Sequence, residues 1–181
     1  MIPEANFFSF LKQRRGLLDG VVISWGEPTL QRDIASFCRR VKELGFLVKL
    51  DTNGRDPVLL KKLIEEELVD YIAMDIKANL AQRHTLLQTK ETTSPYLQSI
   101  KILLSNPCPY EFRTTLIRGV HTKENVGELL SLIEWAERYY VQTYRPEITL
   151  DPNFEGKAFS EVEMEEFAEM GREVVGECWV R

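Results

Sequence analysis

The chain has few of the residues from which metal centres and disulfide frameworks are built. Three cysteines and two histidines occur among its 181 residues. Cys38, Cys108 and Cys178 are isolated, and their spacing matches neither a set of metal ligands nor a disulfide framework. His84 and His121 are likewise too far apart in the sequence to suggest a metal pair. We therefore expect no metal site made from these residues, and a reducing compartment.

Long apolar runs and an excess of positive charge are also absent. No apolar stretch approaches the length that spans a membrane, and residues 1–4 lack the features of a signal peptide. The net charge of −5 argues against binding the phosphate backbone of a nucleic acid, which needs a basic face. These absences predict a cytoplasmic protein that binds neither membranes nor nucleic acids.

What remains is an ordinary globular composition. Hydrophobic residues make up 44% of the chain and charged residues 28%, as in a typical folded domain. A chain of 181 residues can bury a sizeable core as one unit. We therefore expect a single domain over residues 1–181.

Five apolar, β-rich segments alternate with helical patterns along the chain. Strands are predicted over residues 20–24, 46–51, 70–76, 110–117 and 139–145. Helices are predicted over residues 4–15 and 29–44, from Asp56, Ser94 and Thr122 onward, and over 160–175. Residues 77–94, rich in Gln, Thr and Lys, are predicted to be a loop. The alternation of strands and helices predicts a parallel sheet with right-handed crossovers.

The fourth predicted strand indicates how this sheet is shaped. Its residues 110–116 alternate between apolar and polar side chains instead of forming a continuous apolar run. A flat, doubly wound sheet buries both faces, whereas the inner face of a curved sheet can direct Arg113 and Thr115 toward a ligand. We therefore expect an α/β fold of the incomplete (β/α) TIM-barrel type, with about five parallel strands and outer helices.

Polar residues cluster where the predicted strands end, which is where parallel sheets bind ligands. The candidate cofactor-binding residues are Ser24, Gly26, Glu27, Pro28, Asp51, Thr52, Asn53, Asp75, Lys77 and Arg113. Carboxylates and basic groups crowded on one rim are costly unless they meet a zwitterion or a cation. An α-amino acid moiety fits, because the carboxylates bind its ammonium group and Lys77, Arg113 or a bound cation binds its carboxylate. Each motif alone is equally consistent with a turn or a cap; together they favour a site.

These motifs resemble a known family along nearly the whole chain. The matching segments are Gly26-Glu27-Pro28, Asp51-Thr52-Asn53-Gly54, Met74-Asp75-Ile76-Lys77, Phe112-Arg113-Thr114-Thr115 and Tyr144-Arg145-Pro146. In order and spacing they look like the radical S-adenosylmethionine (SAM) activating enzymes of pyruvate formate-lyase and anaerobic ribonucleoside-triphosphate reductase. The resemblance implies a partial (β/α)6 barrel that holds SAM and a [4Fe–4S] cluster. It also implies a 5′-deoxyadenosyl radical that abstracts a glycine hydrogen from a partner, the glycyl radical enzyme.

The resemblance also assigns roles to individual residues. Gly26, Glu27 and Pro28 match the motif that holds the amino group of the methionine part of SAM. Asp51, Thr52 and Asp75 match positions near the methionine carboxylate and an associated cation. The basic residues Lys77 and Arg113 match positions that line the cofactor pocket, and Arg145 is a weaker match.

Two features depart from the family pattern. The C-x3-C-x2-C loop that ligates the cluster is absent, and Trp25 stands where the family has the first Gly of its Gly-Gly-Glu-Pro motif. The chain therefore resembles the C-terminal part of the barrel, with the first strand missing. We expect that it holds no [4Fe–4S] cluster, has no catalytic residue of its own and is an inactive fragment of an activase as it stands. An exposed edge at residues 21–23 predicts an edge-strand dimer.

Two further interpretations remain open at this point. The chain is alternatively a module that binds SAM or a similar nucleoside without a cluster and without chemistry. It is otherwise an interaction protein in which only the scaffold is kept.

Overall fold

The computed structural model describes residues 2–77, 94–105, 107–146, 154 and 156–181. Nearly all of the predicted loop over 77–94, including His84, lies outside the described residues. No helix in the described part is long and apolar enough to cross a membrane.

Within the described residues, six parallel strands form one sheet. They are β1 (Gly20–Ile23), β2 (Leu47–Thr52), β3 (Tyr71–Asp75), β4 (Tyr110–Leu116), β5 (Arg138–Thr143) and β6 (Glu177–Val180). Their order in the sheet is their order in the chain, and every neighbouring pair is parallel. The order of a doubly wound sheet reverses at a switch point, whereas this sheet winds in one direction, as in a (β/α) barrel. The predicted barrel-type α/β fold is confirmed.

The prediction of about five strands was one short. All five predicted strands are present, but β6 was missed because its apolar run is only three residues long, Cys178 to Val180, and follows directly on the predicted last helix. This strand is held by long-range pairing with β5, from Arg138 opposite Glu177 to Val141 opposite Val180.

Six helices occur in the described part of the chain. They are α1 (Glu4–Gln13), α2 (Ile34–Glu43), α3 (Pro57–Glu65), α4 (Ser94–Leu104), α5 (Lys123–Ser131) and α6 (Glu161–Arg172). Asp56 caps α3 by accepting a hydrogen bond from the Leu59 N–H, and Thr122 and Ser160 form capping boxes at α5 and α6. The helix predicted from residue 29 begins later, because residues 28–30 form a separate 3-10 turn.

The two faces of the sheet differ in chemistry because side chains alternate along each strand. One face is apolar and packs into a continuous core with the helices; its buried residues include Val48, Leu50, Ile72, Met74, Phe112 and Val141. The other face carries polar and charged residues, among them Lys49, Asp51, Asp75, Glu111, Arg113 and Gln142. The parallel register places Arg113 beside Asp75 and Glu111 beside Ala73. The polar inner face predicted from β4 is thus present and continues across the sheet.

Candidate functional site

Glu27 ties the loop after β1 to the end of β2. Its Oε1 accepts hydrogen bonds from the Thr29 hydroxyl at 2.6 Å, the Thr29 N–H at 3.2 Å and the Thr52 hydroxyl at 2.7 Å. Its Oε2 accepts from the Asn53 N–H at 2.7 Å. A carboxylate offers about four lone-pair directions, so the chain itself uses the hydrogen-bonding capacity of this side chain.

The turn after β2 is built around Thr52, Asn53 and Gly54. The Thr52 hydroxyl accepts from the Gly54 N–H, and the Asn53 side chain accepts from the Arg55 N–H. Gly54 has a φ of +71°, and a Cβ there would lie 2.1 Å from the Met74 methyl group. The backbone conformation favours glycine at this position, and a larger residue would also force the end of the Met74 side chain to move.

Arg113 joins the ends of β2, β3 and β4. Its Nη2 lies 2.8 Å from Asp75 Oδ1, and its Nη1 lies 3.3 Å from Asp51 Oδ2. The guanidinium is mostly buried, which lowers the pKa of Arg113, but the charges of Asp75 and Asp51 outweigh this and raise it. The second oxygen of Asp51, Oδ1, is buried without a hydrogen-bond partner in the described part of the chain. A buried carboxylate oxygen without a partner is costly, so we expect a water molecule, a cation or a ligand group to satisfy it.

A cavity of about 620 Å³ opens beside Arg113 at the ends of β3 to β6. This volume falls in the range of roughly 300–1,000 Å³ that is usual for small-molecule sites. Its charged lining residues are Asp75, Lys77, Arg113, Arg145 and Arg181. Among the described residues, Arg113 pairs with Asp75 and Asp51, and Arg181 pairs with Glu111. The positive charges of Lys77 and Arg145 are the least compensated, and they favour an anionic group of a ligand at this wall.

The predicted site residues fall into two neighbouring groups. Asp75, Lys77 and Arg113 line the cavity, and Asp51 is linked to them through Arg113. The remaining predicted residues lie around the Glu27 loop and the turn after β2 and are outside the cavity lining; they are Ser24, Gly26, Glu27, Pro28, Thr52 and Asn53.

Trp25 lies in the same loop as Glu27 but outside the cavity. Its side chain is 85% exposed, and its backbone has a φ of +78°. Gly26 follows at +60°. A bulky residue in this left-handed region is a conformational outlier.

Glu111 is a charged residue of the inner face that the sequence analysis missed. Its carboxylate, 1% exposed, accepts from the Tyr71 hydroxyl at 2.9 Å and from Arg181 at 3.0 and 3.3 Å, and lies 3.3 Å from the Lys49 Nζ. Burial raises the pKa of Glu111, but the Tyr71 hydrogen bond and the two cations outweigh it and lower the pKa. The available signal was alternation, because Glu111 is two residues before Arg113 on one strand.

His121 lies in the cavity wall, where its ring binds two backbone groups. Its Nδ1 accepts from the Ile117 N–H at 3.0 Å, and its Nε2 lies 3.1 Å from the Lys77 carbonyl oxygen. The side chain is buried, and burial lowers its pKa below the usual 6.5. The sequence gives no local signal for the contact, since 44 residues separate His121 from Lys77.

The three cysteines are dispersed through the fold. Cys38 lies in α2, Cys178 lies in β6 and Cys108 precedes β4. Burial raises the thiol pKa of Cys38 and Cys108 to about 11 and that of Cys178 to about 12. Metal binding needs the thiolate, which these environments disfavour. The described residues also contain no group of three or more His, Cys, Asp or Glu side chains placed to hold a metal ion.

Comparison with known proteins gives consistent matches. The model of the Radical SAM superfamily matches residues 6–136. A protein of Methanocaldococcus jannaschii, named as a glycyl-radical enzyme activating enzyme, is 30% identical over 169 residues. That match covers 90% of this chain and 70% of the relative. A second protein of that name from the same organism is 39% identical over 132 residues, covering 70% of this chain and half of the relative.

A solved structure agrees with these matches at the level of the fold. It is a domain of the pyruvate-formate lyase-activating enzyme from Bacteroides vulgatus, which superposes with a TM-score of 0.68. The superposition covers 90% of this chain and 98% of that domain, at 17% sequence identity.

Proposed function

The chain belongs to the radical SAM superfamily, and from this premise we propose that its strand-end residues form the SAM site of a glycyl-radical enzyme activase. The M. jannaschii relatives support this class of activity. The partner is then a glycyl radical enzyme. In a complete activase, SAM held by these residues would supply the 5′-deoxyadenosyl group, which would remove a hydrogen atom from a glycine of that partner once an electron from a [4Fe–4S] cluster had cleaved the sulfonium bond.

The observation that carries the proposal is the arrangement of Asp51, Arg113 and Asp75 beside the cavity. Arg113 is held between the two carboxylates, while Asp51 Oδ1 remains buried without a partner in the described part of the chain. The methionine part of SAM carries an ammonium group and a carboxylate. Asp51 Oδ1 suits the ammonium group or an associated cation, and Lys77 at the cavity wall suits the carboxylate.

The loop after β1, residues 24–28, which contains Glu27 and is called the Glu27 loop, contributes to the proposed site through its backbone. Because the Glu27 carboxylate already accepts four hydrogen bonds from Thr29, Thr52 and Asn53, it fixes the loop against the end of β2. The backbone of Ser24 and Gly26, together with Pro28, then forms the rim that faces the methionine amino group.

The cysteines of the chain do not fit a [4Fe–4S] cluster. They lie in separate elements, and their raised thiol pKa values disfavour the thiolate that iron requires. We therefore propose that these 181 residues are the cofactor-binding part of an activase and do not carry out radical chemistry as they stand. The same cysteine placement favours a second candidate, a SAM-binding module that works without a cluster.

Calorimetric titration with SAM tests the site. We expect the chain to bind SAM, and Asp51→Asn and Lys77→Met each to weaken binding by about tenfold, the effect of losing about one good charged contact. Lys61→Met is the matched control, because Lys61 lies exposed on α3 and away from the cavity. Absence of binding, or equal affinity in all four proteins, contradicts the proposed site.

Anaerobic reconstitution with iron and sulfide tests the cysteine argument separately. We expect no stable cluster on the chain, whether or not SAM binds. A stable, reducible cluster that persists after desalting would contradict both the proposal of an inactive activase fragment and the proposal of a cluster-free SAM-binding module.

A further inference from the structure

A neutral imidazole joins the end of β3 to the turn after β4. The Ile117 N–H donates to His121 Nδ1, so the ring proton resides on Nε2, which donates to the Lys77 carbonyl oxygen. The His121 N–H donates back to the Ile117 carbonyl at 2.9 Å, which closes the turn. Two hydrogen bonds within its own turn therefore hold His121 in place, independently of its contact with Lys77.

The hydrogen bond between His121 and Lys77 lies just after the C-terminal end of β3. The Ile76 N–H donates to the Arg113 carbonyl at 2.7 Å, and the Thr114 hydroxyl donates to the Ile76 carbonyl at 2.6 Å. His121 extends this support by one residue, to Lys77. The Lys77 ammonium is itself weakly held, since its Nζ lies 3.9 Å from Asp75 and the side chain is 54% exposed. The backbone position of Lys77 therefore decides where its ammonium group can reach.

The charges around the imidazole favour its neutral form. The cavity wall that it shares contains Lys77 from the end of β3, Arg113 from β4, Arg145 after β5 and Arg181 after β6. In the described part of the chain, Arg113 pairs with Asp75 and Asp51 and Arg181 pairs with Glu111, which leaves the positive charges of Lys77 and Arg145 the least compensated. In the turn itself, Arg118 is paired with Glu163 of α6. An imidazolium would add a positive charge to this wall. It would also place a second donor against the Ile117 N–H, because a protonated Nδ1 cannot accept.

We propose that His121 is a positioning residue for Lys77, whose ammonium group it directs toward the carboxylate of the ligand in the cavity. The inference rests on the proposed SAM site and deepens it by adding a residue that acts through Lys77. Burial holds the pKa of His121 below 6.5, so Nδ1 accepts from the Ile117 N–H at neutral pH. As the pH falls through that lowered pKa, Nδ1 gains a proton, the ring loses this anchor and no longer holds its position against Lys77.

Two substitutions separate the two hydrogen bonds of the ring. An asparagine amide oxygen reaches about as far as Nδ1, so His121→Asn keeps an acceptor for the Ile117 N–H and removes the contact with Lys77. A glutamine amide nitrogen reaches about as far as Nε2, so His121→Gln keeps a donor for the Lys77 carbonyl. We expect His121→Asn to weaken SAM binding about tenfold and His121→Gln to recover much of that loss.

A double-mutant cycle with Lys77→Met tests whether His121 acts through Lys77. We expect the pair His121→Asn and Lys77→Met to bind SAM no more weakly than Lys77→Met alone. As the pH is lowered from 7 through the lowered pKa of His121, the SAM affinity of the unaltered chain should also fall, while that of His121→Asn should change little. Additive losses, or the same pH dependence in both proteins, overturn the inference.

Nuclear magnetic resonance of the ligand-free chain tests the link independently of SAM. We expect ring ¹⁵N shifts of the Nε2–H tautomer for His121 and displaced Lys77 resonances in His121→Asn. The Nδ1–H tautomer, or unchanged Lys77 resonances, contradicts the His121 inference. Failure of the unaltered chain to bind SAM contradicts instead the proposed function, so the two failures are distinguishable.

Discussion

Two exposed tryptophans adopt a backbone conformation that favours glycine. Trp25 has a φ of +78° and Trp135 a φ of +69°, and their side chains are 85% and 83% exposed. This conformation costs an L-residue about 1–2 kcal/mol. The surroundings impose it in both places, since Glu27 anchors the loop that follows Trp25 and the Trp135 N–H donates to the Val174 carbonyl.

Replacing either tryptophan with glycine should therefore stabilise the fold. We expect Trp25→Gly and Trp135→Gly each to raise the free energy of unfolding by about 0.5–1 kcal/mol, since relief of strain exceeds the added entropy of the unfolded chain. Urea denaturation measures this change. Loss of stability in either variant would mean that the indole makes contacts that outweigh the strain.

The same pair of variants tests what Trp25 does at the site. Trp25 lies in the loop assigned to the methionine amino group, whereas Trp135 lies between α5 and β5. We expect Trp25→Gly to raise the affinity for SAM severalfold, because the proposed site brings the ligand to the backbone of this loop and a glycine leaves that backbone open. Trp135→Gly is the matched control and should leave the affinity unchanged. Equal SAM affinity in both variants would place the indole away from the ligand.

At the scale of the elements, Glu111 of β4 links distant parts of the inner face. It contacts Lys49 of β2, Tyr71 of β3 and Arg181 beyond β6. The Arg181 guanidinium also lies 3.4 Å from the centre of the Tyr140 ring of β5. One buried carboxylate thus links strands that are not neighbours in the sheet and share no backbone hydrogen bonds.

Glu111→Gln should weaken the fold at neutral pH and change its acid sensitivity. The pKa of Glu111 is lowered, so the unfolded chain binds more protons between the folded pKa and about 4.5. The contribution of Glu111 is therefore complete above about pH 4.5 and is lost as the pH falls through the lowered pKa. At pH 7 we expect Glu111→Gln to cost about 2 kcal/mol, since its basic partners are partly exposed.

Urea denaturation from pH 3 to pH 7 measures this difference. The gap in stability between the unaltered chain and Glu111→Gln should shrink toward pH 3. Glu65→Gln is the control, since this exposed glutamate of α3 pairs only with Lys61 at 3.6 Å among the described residues and should cost under about 0.5 kcal/mol. A pH-independent gap would mean that Glu111 acts through packing and not through its charge.

Features that depend on interactions between residues close in the sequence were predicted, and features that depend on distant residues were missed. The caps at Asp56, Thr122 and Ser160 were predicted because their partners lie within three residues. Acidic and basic residues at strand ends were predicted from the rule that parallel strands bring those ends together. The links from Glu111 to Arg181 and from His121 to Lys77 join residues 70 and 44 positions apart and leave no local pattern.

At the scale of the whole molecule, the barrel is open and its two edges differ. Among the described strands, β1 pairs with β2 alone and β6 with β5 alone. β6 carries Glu177 at its edge, and a charge there discourages pairing. β1 instead presents three consecutive β-branched apolar residues, and Val22 is 59% exposed. β1 is therefore the edge at which another strand would add.

The last prediction concerns this edge. We expect the 181-residue chain to self-associate through β1 at micromolar concentration and Val22→Lys to shift it to the monomer, because a lysine on an edge strand opposes pairing. Val22→Thr is the matched control, since threonine keeps the β-branched shape without a charge and should still associate. Sedimentation velocity over a concentration series measures the outcome. The prediction fails if the chain is monomeric at every concentration, or if Val22→Lys associates as strongly as Val22→Thr. Either result would mean that the β1 edge does not pair with another strand, although Val22 is exposed on it.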